Sequence, residues 1–211
     1  IIAMRYTRWT PAALGLGRAP ERFYVAAVLI GISCWYLLML GVDRLIDVGD
    51  SAEAKTLEQI IDRPSLAMAL LAFGLLPAVC EEIVFRGVLL RGLATRLPGY
   101  AAVIVSATVF SLYHMKPIQM PATLVLGLVF GAIALRSNSV FPTMIAHFLN
   151  NAFVLIVGRN EIVSISRVLG EHPYAALCVF VPVLVAGFGL VAVDPREWLA
   201  ERGRGRRRGH R

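Results

Sequence analysis

Uncharged, apolar stretches recur along the chain at about the length of a bilayer crossing, with short polar breaks between them. The clearest, Phe23–Val42, supplies 20 residues without a charge, enough to cross ~30 Å of hydrocarbon at ~1.5 Å per residue. Residues 43–64 then carry six acids and three bases and are expected to form a polar loop with room for a short helix. Ser65–Cys80 is apolar again and runs through Pro77 into an amphipathic stretch that ends near Leu97. As a single helix, 65–97 would measure about 50 Å, so a kink or break is expected near Pro77. Further apolar segments cover Tyr100–His114, Pro121–Leu135, Val140–Val157 and Tyr174–Val193, with polar breaks at Met115–Met120, Arg136–Ser139 and Gly158–Pro173. The pattern predicts an all-α fold, a polytopic transmembrane helical bundle of about six membrane segments. The number rises to seven or eight if 65–97 crosses twice or re-enters.

Composition excludes the alternatives to a membrane chain. Of 211 residues, 57% are hydrophobic and 17% charged, against ~25% charged in an average soluble domain; disorder is equally incompatible with so apolar a chain. The net charge of +7 sits at the two ends: residues 1–22 carry +3, residues 196–211 carry +5, and the rest of the chain −1. A basic tail beside an apolar segment marks the cytoplasmic flank and touches anionic lipid, so no nucleic-acid partner is inferred from it. With both basic ends, Arg91, Arg96 and Arg136 inside, the acidic 43–64 loop falls outside, and charge and crossing number agree on six. High Ala, Gly and Arg usage suits a GC-rich bacterium, so the expected location is a bacterial cytoplasmic membrane.

Cys34, Cys80 and Cys178 are single and lie in apolar segments, so they are expected to be small buried hydrophobes without a disulfide or a CxxC pair. Phe23–Val42 is too long for a signal-peptide core and lacks a small-residue cleavage site, which makes it an expected permanent span. The chain begins with Ile rather than Met, which leaves room for upstream sequence.

Candidate chemistry lies where polar side chains interrupt the apolar segments: Glu81, Glu82 and Arg86; His114; and His147, Asn150 and Asn151. Such residues are costly in a bilayer and face interior cavities. Glu82 and Arg86, spaced i,i+4, can pair on one helical face, as structure or as chemistry. Glu81, turned about 100° away, has no local cation, and an apolar setting strengthens a carboxylate as a base. His114 alone reads as an interfacial or hydrogen-bonded histidine. His147 and Asn151, again i,i+4, can point at one spot, either to hold an oxyanion or to bond between helices, while Asn150 falls on a different face. Together, these groups on three segments suggest one buried polar site.

The constellation Glu81-Glu82-x-x-x-Arg86, Phe110-x-x-x-His114 and His147-x-x-x-Asn151 resembles, in order, the three motifs of the CPBP family: CAAX prenyl proteases and bacteriocin-processing enzymes, also called Abi, which are glutamic intramembrane endopeptidases. The resemblance extends over about residues 65–157. It implies that Glu81 is the general base and that His114 helps it polarise a water. His147 and Asn151 would stabilise the tetrahedral oxyanion, with Glu82 and Arg86 supporting the helix geometry and the charge balance. It also implies metal-independent chemistry with no cofactor, and a membrane-associated protein or peptide substrate cut near a terminus. On this reading residues 1–22 are a basic flank, 23–195 the transmembrane protease domain and 196–211 an Arg/Gly-rich cytoplasmic tail.

Three other readings compete. A metal peptidase could use Glu81, Glu82, His114 and His147 as ligands, although HExxH is absent. A transporter or proton relay would place Glu and His in the membrane equally naturally, although no pair of broken segments in matching halves is evident. A membrane scaffold would use the polar cluster only to hold helices together. The sequence does not choose among prenylated CAAX termini, bacteriocin leaders and C-terminal sorting anchors as substrate.

Overall fold

The computed structural model describes residues 10–45, 64–117, 119–159 and 161–192. Most of the expected 43–64 loop and the whole 196–211 tail fall outside these residues. Seven helices are described: α1 Glu21–Leu45, α2 Leu66–Ala94, α3 Gly99–Tyr113, α4 Met120–Ser137, α5 Phe141–Gly158, α6 Val163–Glu171 and α7 Pro173–Ala192. Ser65 caps α2 through its hydroxyl, which accepts from the Met68 amide. Prolines open the next three helices, Pro98 at the cap of α3 and Pro121 and Pro142 in the first turns of α4 and α5, where a missing N–H costs nothing. Asn138 ends α4 in the left-handed conformation at φ 53°, a position that Asn tolerates better than most residues.

Five helices, α1, α2, α4, α5 and α7, are long and apolar enough to cross a membrane. The sixth expected crossing, α3, is a shorter apolar helix of 15 residues, about 22 Å against a core of ~30 Å. Two expectations are revised. Of the kink or break expected near Pro77, the break does not occur: α2 runs without interruption, with π-helical turns at Leu70–Leu75 and Ile83–Leu90 on either side of an α-helical stretch. These wider turns accommodate a residue with no N–H to donate. The expected polar break after Gly158 contains the short helix α6. Of the cysteines, Cys34 is buried as expected, while Cys80 and Cys178 are exposed rather than buried.

The bundle is organised around α1, which packs on α5 and α7; α3 and α4 form a second pair, and α2 crosses α5 and then α3. One core joins Phe23, Ile30, Phe130, Ile133, Ala146 and Val191, and a second layer stacks Trp35 on Phe153 with centroids 5.7 Å apart. Lipid offers no hydrophobic force between helices, so close packing must hold them, and small residues permit it. A Cβ on Gly31 would stand 2.8 Å from the Ala146 carbonyl oxygen, one on Gly127 2.9 Å from Ala107, and one on Gly187 2.7 Å from Ile30.

One end of the bundle gathers the segment before α1, the end of α2, the α4–α5 turn and the end of α7. The Val140 amide donates to Gly15 O (3.0 Å), Ser139 Oγ to Gly17 O (2.6 Å) and Arg91 Nη1 to Asn138 Oδ1 (2.8 Å). Arg136 donates to the last carbonyls of α7, Val191 O (2.6 Å) and Ala192 O (2.7 Å). Near the other end Arg159 Nη1 donates to Pro64 O (2.9 Å), and the Tyr36 hydroxyl donates to Pro173 O (3.4 Å).

Candidate active site

Mid-way along α2, the α-helical stretch Leu76–Glu82 passes into the second π-helical segment, and the two motif carboxylates stand at that transition. π-Helical turns recur at functional sites because they re-aim side chains. Glu82 is fully buried. Its Oε1 lies 3.0 Å from Arg86 Nη1, so the i,i+4 pair expected from spacing is formed. The same oxygen also lies 2.9 Å from His147 Nδ1 on α5, a contact between helices that spacing along the chain does not encode. Glu81 points elsewhere, with its side chain 19% exposed, and brings Oε2 to 3.9 Å from His147 Nε2. His147 is thus flanked by both glutamates, one at each ring nitrogen.

Arg86 carries its charge wholly inside the protein. The guanidinium sits 4.3 Å above the Phe110 ring and 5.5 Å from that of Phe130, so aromatic faces share its charge with Glu82. Phe110 also meets His114 edge-on at 4.8 Å and His147 at 6.1 Å, and Phe130 meets His147 at 5.5 Å. Phe110 therefore touches all three polar motifs, and Ser106, one turn before it, fastens α3 to α2 by donating to Phe85 O at 3.1 Å.

His114 stands at the C-terminal cap of α3, half-buried, with Nδ1 2.9 Å from the Phe110 carbonyl oxygen. A carbonyl only accepts, so Nδ1 bears the hydrogen and Nε2 is free for other partners. Met115, at φ 50°, turns the chain sharply after it.

Asn151 is set by a chain of amides. Its Nδ2 donates to Phe73 O at 3.2 Å, and its Oδ1 accepts from Asn150 Nδ2 at 3.3 Å. Pro77, four residues beyond Phe73, has no N–H for that carbonyl, which the Asn151 side chain takes instead. One Asn151 N–H is thereby committed and the other is left to donate. Asn150, expected on a different face, is buried beside Asn151 and belongs to this chain.

The structure thus brings Glu81, Glu82, Arg86 and His147 into direct contact and links His114 to them through Phe110. It connects Asn151 to the helix of the glutamates through Phe73. Spacing along the sequence did not reveal Phe130, Asn150 or the Phe73 carbonyl as parts of the site; the adjacent Asn150-Asn151 pair and the Phe73–Pro77 interval were the available signals. Among the described residues no three His, Cys, Asp or Glu side chains are arranged as a metal-binding group.

Residues 63–153 match the family model of type II CAAX prenyl endopeptidase, Rce1-like, proteins, and all six expected site residues from Glu81 to Asn151 fall inside the match. The matched family is the CPBP/CAAX protease family, the one that the motif resemblance implied, and the match covers the motif-bearing middle of the chain. No curated protein and no solved structure matches the chain. The five long apolar helices and the family match together support an integral membrane protein, and a CAAX protease family is one that acts on membrane-associated proteins or peptides.

Proposed function

We propose that the chain is a glutamic intramembrane endopeptidase that hydrolyses a peptide bond near a terminus of a membrane-associated protein or peptide. Convergence of Glu81 and Glu82 on His147, from helices more than sixty residues apart in sequence and with Arg86 paired to Glu82, carries this reading. Separate structural polar groups would each need their own partner; these share one.

In the proposed mechanism Glu81 is the base. A water held between Glu81 and the unprotonated Nε2 of His114 gives one proton to Glu81 as its oxygen attacks the scissile carbonyl carbon. The carbonyl π pair moves onto oxygen, and the resulting oxyanion accepts from His147 Nε2–H and the uncommitted Asn151 N–H. Collapse re-forms the carbonyl and breaks the C–N bond, with the Glu81 proton passing to the leaving amine. Glu81 returns ionised and one water has been consumed. We place the enzyme in a bacterial cytoplasmic membrane with both basic termini inside.

The test compares protein termini in the membranes and secreted fraction of cells carrying wild type or Glu81→Ala at matched expression. Termini that depend on Glu81 are expected, and their sequences name the substrate class. Identical termini from two inserted chains would overturn the protease reading in favour of a relay or scaffold.

A further inference from the structure

Glu82 is absent from the steps above, yet it makes the shortest contact to His147. Its carboxylate is fully buried with Arg86, whose charge is permanent, 3.0 Å away. An ionised carboxylate only accepts hydrogen bonds, so His147 Nδ1, at 2.9 Å, must be the donor. This excludes the neutral imidazole that carries its hydrogen on Nε2 alone. A His147 that also donates from Nε2, as an oxyanion requires, must carry both hydrogens.

The charges facing His147 allow that form. From α2 come Glu81 and Glu82, the latter paired with Arg86; the aromatic rings that meet the imidazole are the uncharged Phe110 of α3 and Phe130 of α4. Two carboxylates and one guanidinium leave one negative charge, which an imidazolium cancels, and an uncompensated buried charge is what such a cluster must avoid. With Nδ1 held by Glu82, Nε2 is turned toward Glu81, 3.9 Å away, where the reacting atoms are placed.

We infer that Glu82 is a positioning residue. It holds His147 as a doubly protonated imidazolium with Nε2–H aimed at the reaction, and Arg86 keeps Glu82 ionised for that task. The hydrogen on Nδ1 stands on the contact with Glu82 alone, whereas the hydrogen on Nε2 and the placement of the reacting atoms rest on the proposed protease reading.

The experiment therefore has two arms, both on the full chain in phospholipid nanodiscs. In the first, ring-15N-histidine protein is studied by NMR, with His147 assigned by its loss in His147→Gln. Two N–H-bearing ring nitrogens are expected in wild type, and a His147 with hydrogen on one nitrogen only overturns the inference. In the second, cleavage of an S-farnesylated CAAX-ended peptide is compared in wild type, Glu81→Ala and the charge-neutral double variant Glu82→Gln, Arg86→Gln, which leaves no uncompensated buried charge. Glu82 as a positioning residue predicts that the double variant loses kcat on the order of 100-fold with KM unchanged. Wild-type kcat in the double variant would show that Glu82 serves only to neutralise Arg86, and would overturn the inference. If the wild type leaves this peptide intact, the failure belongs to the protease reading for that substrate. If the double variant does not fold, the wild-type nitrogen signals still decide.

Discussion

Proline lacks an N–H, and at position 77 that lack reaches across to another helix. The Phe73 carbonyl, which it deprives of an i+4 donor, is the group that orients Asn151. Pro77→Ala restores the N–H and sets it in competition with Asn151 for the same oxygen. Helix stability should hold or rise, since Ala favours helix over Pro by ~3 kcal/mol, while the Asn151 amide loses its fixed direction. The expected outcome is kcat lowered about 10-fold with the thermal midpoint unchanged or higher, checked by steady-state kinetics on the substrate that the terminus comparison identifies together with thermal melting. At this scale the sequence was legible within one helix: Glu82–Arg86 and His114–Phe110 follow from four-residue spacing and are found. The contact of Glu82 with His147 depends on the register between α2 and α5, which spacing along either helix leaves undetermined. Asn150 shows the same limit. Its angular position set it apart from Asn151, yet a side chain next in sequence is long enough to reach its neighbour's amide.

The short helix α3 carries His114 at its end, so its seating on α4 determines where that imidazole stands. Gly127 is the point of closest approach: a Cβ there would lie 2.9 Å from the Ala107 backbone and Cβ, while Gly131 leaves 3.0 Å to a Val103 methyl. Gly127→Val must push α3 outward. A loss of 1–3 kcal/mol is the usual cost of overpacking, with activity falling through displaced His114. Gly189→Ala on α7 is the matched control, because nothing lies within 4 Å of the added methyl, and its melting temperature and activity should equal wild type. Melting in detergent and cleavage assays on both variants check the pair; equal loss from both would show that the α3–α4 contact is not special. Helix ends were legible to within a few residues because apolar runs, prolines and Asn138 mark them. The π-helical turns of α2 were not, since i→i+5 and i→i+4 bonding use the same residues and differ through packing against neighbours. Helix α6 was hidden because a polar, amphipathic stretch looks like a loop when only apolar crossings are counted.

Across the whole molecule, the basic positions meet at one end. Arg91 bonds Asn138 there, Arg136 caps α7, and the residues preceding α1 bond Ser139 and Val140. The start of α1 and the finish of α7 therefore lie on the same side of the bundle, which requires an even number of traverses and makes the 15-residue α3 count as one of six despite its length. The sequence carries +3 over residues 1–22 and +5 over residues 196–211, and the proposed orientation, in which positive charge is retained on the cytoplasmic face, puts both termini inside. Single cysteines placed at positions 10 and 195, in a chain with Cys34, Cys80 and Cys178 changed to Ala, should both resist a membrane-impermeant maleimide in intact cells and both react after permeabilisation. Labelling of both in intact cells would invert the bundle and carry the Arg91–Asn138 end outward. Labelling of one alone would mean that α3 does not complete a traverse, and the depth of His114 relative to the glutamates would have to be drawn anew.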